Sequence, residues 1–157
     1  MIKIIRTPAA AALTDTMLEL FRCNSLLLTA GDRLVAPLGL TSARWQVLGA
    51  IDAASRPQPV AWLARDMGGN RQNVQRIIND LRKDGLVAFE SNPHHRRAQL
   101  VVLTATGKKV LEAAMRLQAS WINDVAKGVS VKDVETVRHV FAALRNNLEG
   151  TEADETS

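Results

Sequence analysis

Between Asn70 and Gly85 the chain carries one amphipathic helix with its start and stop signals in place. Val74, Ile77, Ile78 and Leu81 stand at i, i+3, i+4 and i+7, a stripe that has to be buried against other elements. Asn70 is a good N-cap, because its side-chain oxygen accepts from backbone N–H groups of the first turn. Gly68-Gly69 end a shorter helix just before it, whose apolar face is Val60, Leu63, Ala64 and Met67. Asp84-Gly85 stop the main helix, and two strand-like runs follow, Leu86 to Glu90 and Gln99 to Leu103. Between these runs lies a polar tip, Asn92-Pro93-His94-His95-Arg96-Arg97.

A short helix, a glycine turn, an amphipathic helix and then a hairpin is the layout of a winged helix-turn-helix. The flanks are helical too. Thr7-Pro8 resembles a capped start, and apolar residues recur as Met17, Leu20/Phe21, Leu27/Leu28 and Leu34/Val35 until Pro37-Leu38-Gly39. Thr41 caps a second helix that buries Trp45, Leu48 and Ile51. Ser55 to Pro59 reads as a turn, since its two prolines do not sit inside a helix. Thr104 opens a helix with Val110/Leu111, Ala114, Leu117, Trp121/Ile122 and Val125, and Ser130 to Asp133 forms a capping box with Asp in the usual Glu place. The last helix repeats Val134, Val137, Phe141, Leu144 and Leu148, a seam for another helix. The expected fold is therefore mainly α with a small β-hairpin wing. A single domain over 1–148 holds a reading core at about 41–104 and dimerisation helices at about 8–37 and 105–148. Residues 149–157 are expected to be an acidic, disordered tail.

Composition narrows the function classes. Aromatics make up 4% of the 157 residues and Tyr is absent, so the core is built from Leu, Val, Ile and Ala. No apolar run reaches the roughly 18 residues a membrane span needs, and Met1 to Arg6 is too short for a secretory signal. The single Cys23 excludes an intramolecular disulfide and fits a reducing cytoplasm. No Gly-rich phosphate loop, metal-spaced Cys/His set or Ser/His/acid constellation is present, so neither an enzyme nor a cofactor is expected. Charge is uneven. From Arg56 to Lys109 there are ten Lys/Arg and four Asp/Glu, a net of +6 within a chain of +4, which leaves the flanks at −2. A basic centre between mildly acidic ends points to a polyanionic partner for the centre.

At 100° per residue the apolar stripe turns Gln72, Arg76, Asn79 and Lys83 outward, with Asn73 and Gln75 on the flanks and Arg71 in the first turn. Arg bridges O6 and N7 of guanine, and Gln or Asn bridges N6 and N7 of adenine. Arg71, Gln72, Asn73, Gln75 and Arg76 are thus candidate base readers, and Arg96 and Arg97 candidate phosphate or minor-groove contacts from the wing. The expected partner is double-stranded DNA. A merely solvated polar face, a protein–protein adaptor and a nonspecific architectural DNA binder are the other readings of the same residues. His94-His95 do not make a zinc site: neighbours on a ribbon face opposite ways, and the only other histidine, His139, is distant.

From Leu40 to Gly107 the chain resembles the MarR family (multiple-antibiotic-resistance regulators). The resemblance is carried by Leu63-Ala64, by Val74-Gln75-Arg76-Ile77-Ile78-Asn79-Asp80-Leu81, by Asp84-Gly85-Leu86-Val87 and by Leu103-Thr104-Ala105-Thr106-Gly107. It implies a homodimeric transcription regulator, usually a repressor, with two recognition helices on a pseudo-palindromic operator. It also implies a small aromatic or phenolic effector held near the dimer helices. Trp45 would then line that cleft or belong to the core, and Cys23 would be an oxidant sensor or a buried, inert thiol. The family's wing reads Asp-Pro-x-Asp-Arg-Arg, whereas Asn92 and His95 stand here in place of the acids. The second acid commonly braces a wing arginine, so the resemblance implies a looser hold on Arg96 and Arg97.

Overall fold

The computed structural model describes residues 5–155. The chain divides into two compact units, residues up to Gln118 and residues from Ala119 onward.

The first unit begins with α1 (Pro8–Val35), where Thr7 accepts from the Ala10 N–H and proline occupies the first turn. A 3-10 turn (Ala36–Leu38) leads into α2 (Ser42–Ala53), which Thr41 caps by accepting from the Arg44 N–H. Next come β1 (Gln58–Pro59), α3 (Val60–Asp66), α4 (Arg71–Lys83), β2 (Val87–Glu90) and β3 (Leu100–Leu103). α5 (Ala105–Val125) starts in this unit, with Thr104 accepting from the Gly107 N–H. The three strands form an antiparallel sheet in the order β1-β3-β2.

β1 differs from the expected turn. Gln58 and Pro59 pair with Val101 and Leu100 of β3, at the sheet's outer edge, where a proline's missing N–H leaves no ladder bond unmade. Two residues are too few for a period-2 pattern to be read from sequence, and prolines argue against a strand. β2 and β3 otherwise follow the expected hairpin, from Val87 opposite Leu103 to Glu90 opposite Leu100.

One core unites these elements. The α4 stripe of Val74, Ile77, Ile78 and Leu81 is fully sequestered together with Val47 and Leu48 of α2, Leu63 and Ala64 of α3, Val87 and Val101 of the sheet, and Leu111 and Ala114 of α5. Each Val, Leu or Ile side chain among them contributes about 1.5–3 kcal/mol when fully buried. Trp45 packs partly buried against the same cluster, as a core residue does, whereas Cys23, expected to be buried, is exposed on α1.

Two tight joints fix the helices to one another. Where α2 meets α1, the Ser42 hydroxyl donates to the Leu28 carbonyl (2.7 Å) and the Ser42 N–H donates to Asp32 Oδ1 (2.6 Å). A Cβ at Gly31 would run into the Ser42 hydroxyl, so only glycine allows this approach. At the root of the hairpin, Thr104 donates its N–H to the Leu86 carbonyl (3.1 Å) and its hydroxyl to the Gly85 carbonyl (2.6 Å). Gly107, one turn into α5, lies against the Leu86 backbone with no room for a methyl group.

The second unit holds the end of α5 and α6 (Val131–Glu155). Ser130 accepts from the Asp133 N–H (3.1 Å), the forward half of the expected capping box, while the Asp133 carboxylate accepts from the Ser130 hydroxyl (2.6 Å) in place of the Ser130 backbone N–H. α6 remains helical through Glu155, past the Glu149 at which a disordered tail was expected. Glu and Ala are good helix formers and no proline intervenes, so acidic composition alone does not end the helix. Residues 156–157 lie outside the described residues. Val134, Val137 and Phe141 of α6 are exposed, as are Met17, Leu20, Phe21 and Leu27 of α1 within the first unit. None of the described helices is long and apolar enough to cross a membrane.

The glycines give a stability test. Gly107→Ala forces backbone apart at the hairpin root and is expected to lower unfolding stability by about 2–3 kcal/mol in urea denaturation. Gly49→Ala in α2 has open space for its methyl group and is expected to raise stability by roughly 0.5–1 kcal/mol.

Candidate nucleic-acid interface

α3 and α4 are joined by Met67, Gly68 and Gly69, with Gly68 in the left-handed region (φ 64°) that favours glycine. Asn70 then caps α4: its Oδ1 accepts from the N–H groups of Gln72 (2.9 Å) and Asn73 (3.2 Å). With the stripe buried, Arg71, Gln72, Asn73 and Arg76 are exposed along one side and Gln75 is half-buried. The five expected reading residues therefore share one helical surface.

Asn73, Gln75 and Arg76 are held by hydrogen bonds to neighbouring side chains and not by acids. Arg76 donates from Nη2 to Asn73 Oδ1 (2.8 Å), and Gln75 donates from Nε2 to Asn79 Oδ1 (3.1 Å). Among the described residues, neither Arg71 nor Arg76 forms an ion pair. No acid stands in the first turn of α4. That turn is also the positive end of the helix dipole, so it is electrostatically unbalanced and suited to an anion.

The wing extends from the same unit. Arg82, on α4, stacks over the Phe89 ring of β2 (5.4 Å to its centroid), joining the reading helix to the hairpin. His94, His95, Arg96 and Arg97 are exposed at the tip, and no ion pair engages Arg96 or Arg97 among the described residues. The described residues contain no His/Cys/Asp/Glu cluster suited to a metal ion.

Two further residues shape this site, Arg44, which no sequence signal marks, and Asn92. Arg44, on α2, pairs with Asp84 at the end of α4 and donates from Nη1 to the Gly39 carbonyl (3.1 Å). It anchors the C-terminal end of the reading helix to the corner between α1 and α2. Its partner is 40 positions away, so no local spacing announces it. Asn92 organises the hairpin tip; the sequence flagged it only as the place of a missing acid.

The arrangement defines a winged helix-turn-helix with a cationic, carboxamide-rich reading surface. A family model described as MarR family matches residues 38–98. The transcriptional activatory protein BadR of Rhodopseudomonas palustris is 33% identical over 137 residues, covering 83% of this chain and 76% of BadR. An uncharacterised Mycobacterium tuberculosis protein is 36% identical over 120 residues, covering 76% of this chain and 82% of that one. Among solved structures, the M. tuberculosis regulator MosR in complex with DNA superposes with a TM-score of 0.72 at 28% identity, covering 85% of this chain and 96% of MosR. The chain belongs to the MarR family of transcription regulators.

The cap is directly testable. Asn70→Ala is expected to destabilise the protein by about 1 kcal/mol, and Asn70→Asp by much less, because the carboxylate still accepts both N–H groups. Thermal and urea unfolding of the two variants measure the difference.

Proposed function

We propose that this protein is a sequence-specific regulator that binds double-stranded DNA as a homodimer, reading bases with α4 and holding the backbone with the wing. The observation that carries this reading is the α4 surface, where Arg71, Gln72, Asn73, Gln75 and Arg76 gather the side-chain types that discriminate base edges in the major groove, with no carboxylate paired to either arginine. Arg96 and Arg97 supply the second contact, to phosphates or a narrow minor groove. MosR, which has the same fold, was solved in complex with DNA, which supports the reading.

Dimerisation is inferred from the exposed apolar side chains of α1 and, separately, of α6. Apolar faces of this extent need a cover, and a second copy of the chain supplies a matched one. Two-fold symmetry then presents two reading helices to a pseudo-palindromic operator. The direction of regulation depends on where the operator lies relative to the promoter. Repression is the family expectation, and the relative BadR is named as an activator. An effector that releases the protein from DNA belongs to the same proposal, with a small aromatic or phenolic compound as its chemical class.

Fluorescence anisotropy with the DNA upstream of the protein's own gene and a scrambled duplex, over a salt series, tests the proposal. Operator binding is expected to exceed scramble binding by about 10³ or more. Equal affinities would indicate an architectural binder, and no binding at low salt would favour a protein–protein adaptor. Arg76→Ala is expected to cost about 1–3 kcal/mol on the operator and to relax its sequence preference. Arg97→Ala should weaken operator and scramble alike and reduce the salt slope by roughly 0.9. Sedimentation equilibrium of the free protein is expected to give a dimer, and Phe21→Glu on α1 to shift it toward monomer.

A further inference from the structure

In the wing tip, one neutral side chain holds the loop together. The Asn92 carboxamide donates from Nδ2 to the Ala98 carbonyl (2.9 Å) across the tip and accepts at Oδ1 from the His94 N–H (3.0 Å). The Asn92 backbone carbonyl accepts from the His95 N–H (3.3 Å), and the His95 carbonyl accepts from the Ala98 N–H (3.1 Å). Asn92 and Ala98 bracket the pair Arg96-Arg97, and both are half-buried while the four residues from His94 to Arg97 are exposed.

The chemistry of this node selects an amide. A carboxylate at position 92 keeps the acceptor for the His94 N–H but has no proton for the Ala98 carbonyl, so two oxygens would face each other. An amide satisfies both partners and adds no charge. With an imidazole at position 95, the tip from Ser91 to Gln99 contains two arginines and no acid at all. The loop's shape therefore owes nothing to an ion pair, and both guanidiniums keep their charge for an external anion.

We infer that Asn92 is the positioning residue of the wing: its amide sets the tip conformation in place of an acid–arginine brace and leaves Arg96 and Arg97 uncompensated for DNA phosphates. The inference rests on the DNA-binding reading above for its functional half, whereas the loop conformation stands independently of it. The bonds of Asn92 hold the loop backbone and leave the Arg96 and Arg97 side chains without the acid brace that the resemblance implies.

The test compares wild type, Asn92→Ala, Asn92→Asp, Arg96→Ala/Arg97→Ala, and the triple variant that adds Asn92→Ala. In the free protein, trypsin cleavage after Arg96 and Arg97, followed by mass spectrometry, is expected to accelerate several-fold in Asn92→Ala while the melting temperature stays close to wild type. Unchanged cleavage would overturn the inference without any DNA present. On an operator duplex, Asn92→Ala is expected to weaken binding roughly tenfold, the scale of a lost positioning bond. In the double-arginine background the same change should have little further effect, since Asn92 acts through those side chains. An equal loss in both backgrounds, or a loss that follows a fall in melting temperature, would overturn it. Asn92→Asp should both weaken binding and flatten its salt dependence, because the new charge offsets part of the tip. Wild-type protein that fails to bind any duplex would remove the DNA-binding reading and the functional half with it, and the proteolysis result separates that failure from a wrong account of the loop.

Discussion

Burial of the α4 stripe is the constraint on which the remaining architecture rests. Val74, Ile77, Ile78 and Leu81 form a continuous edge on a helix that is otherwise polar, so the helix is stable only while α2, α3 and the sheet cover that edge. Covering it also fixes the helix's rotation about its own axis. The same packing that excludes water from the isoleucines therefore decides that Arg71, Gln72 and Arg76 face outward. Stability and presentation of the reading surface are two sides of one event. A change that lets the helix roll by one residue, about 100°, would carry the guanidiniums toward the core and a branched aliphatic side chain into solvent.

Much of this was legible because the signals are local. A capping Asn, a glycine pair, a 3.6-residue apolar period and an Asp-Gly stop are readable in one window, and the helices they imply are observed close to their expected bounds. β1 was not legible, because its two residues are a strand only by virtue of β3, some 40 positions later. The Arg44–Asp84 pair was hidden for the same reason. The end of α6 was misjudged in the other direction: an acidic stretch suggested a tail, but residues with good helix propensity extended the helix through Glu155. Of the site, the residue types and the exposed side of α4 were readable from periodicity. The mutual hydrogen bonds of Arg76 with Asn73 and of Asn92 with Ala98 were not, since they depend on rotamers and a loop conformation.

With so few aromatic residues, the core relies on many small aliphatic contacts instead of a few large ones. That explains why close backbone approach matters: glycine at positions 31 and 107 brings elements near enough for Ser42 and Thr104 to reach backbone carbonyls. Hydrogen bonds at these joints take the place of a bulky side chain spanning a wider gap. They also make the geometry strict, because a hydroxyl-to-carbonyl bond tolerates far less displacement than a sliding apolar contact.

The hairpin root has a consequence of its own. Thr104 closes on the carbonyls of Gly85 and Leu86, so the outgoing and returning strands are tied together where they leave the body. Beyond that knot the strands remain joined to the body, by Arg82 of α4 over the Phe89 ring and by β1 pairing with β3. The tip between the strands, Ser91 to Gln99, carries side-chain amides and two imidazoles but no acid. A hairpin tied at its root and braced partway along moves with α4 as one lever, so a shift of the helix is carried outward to the tip.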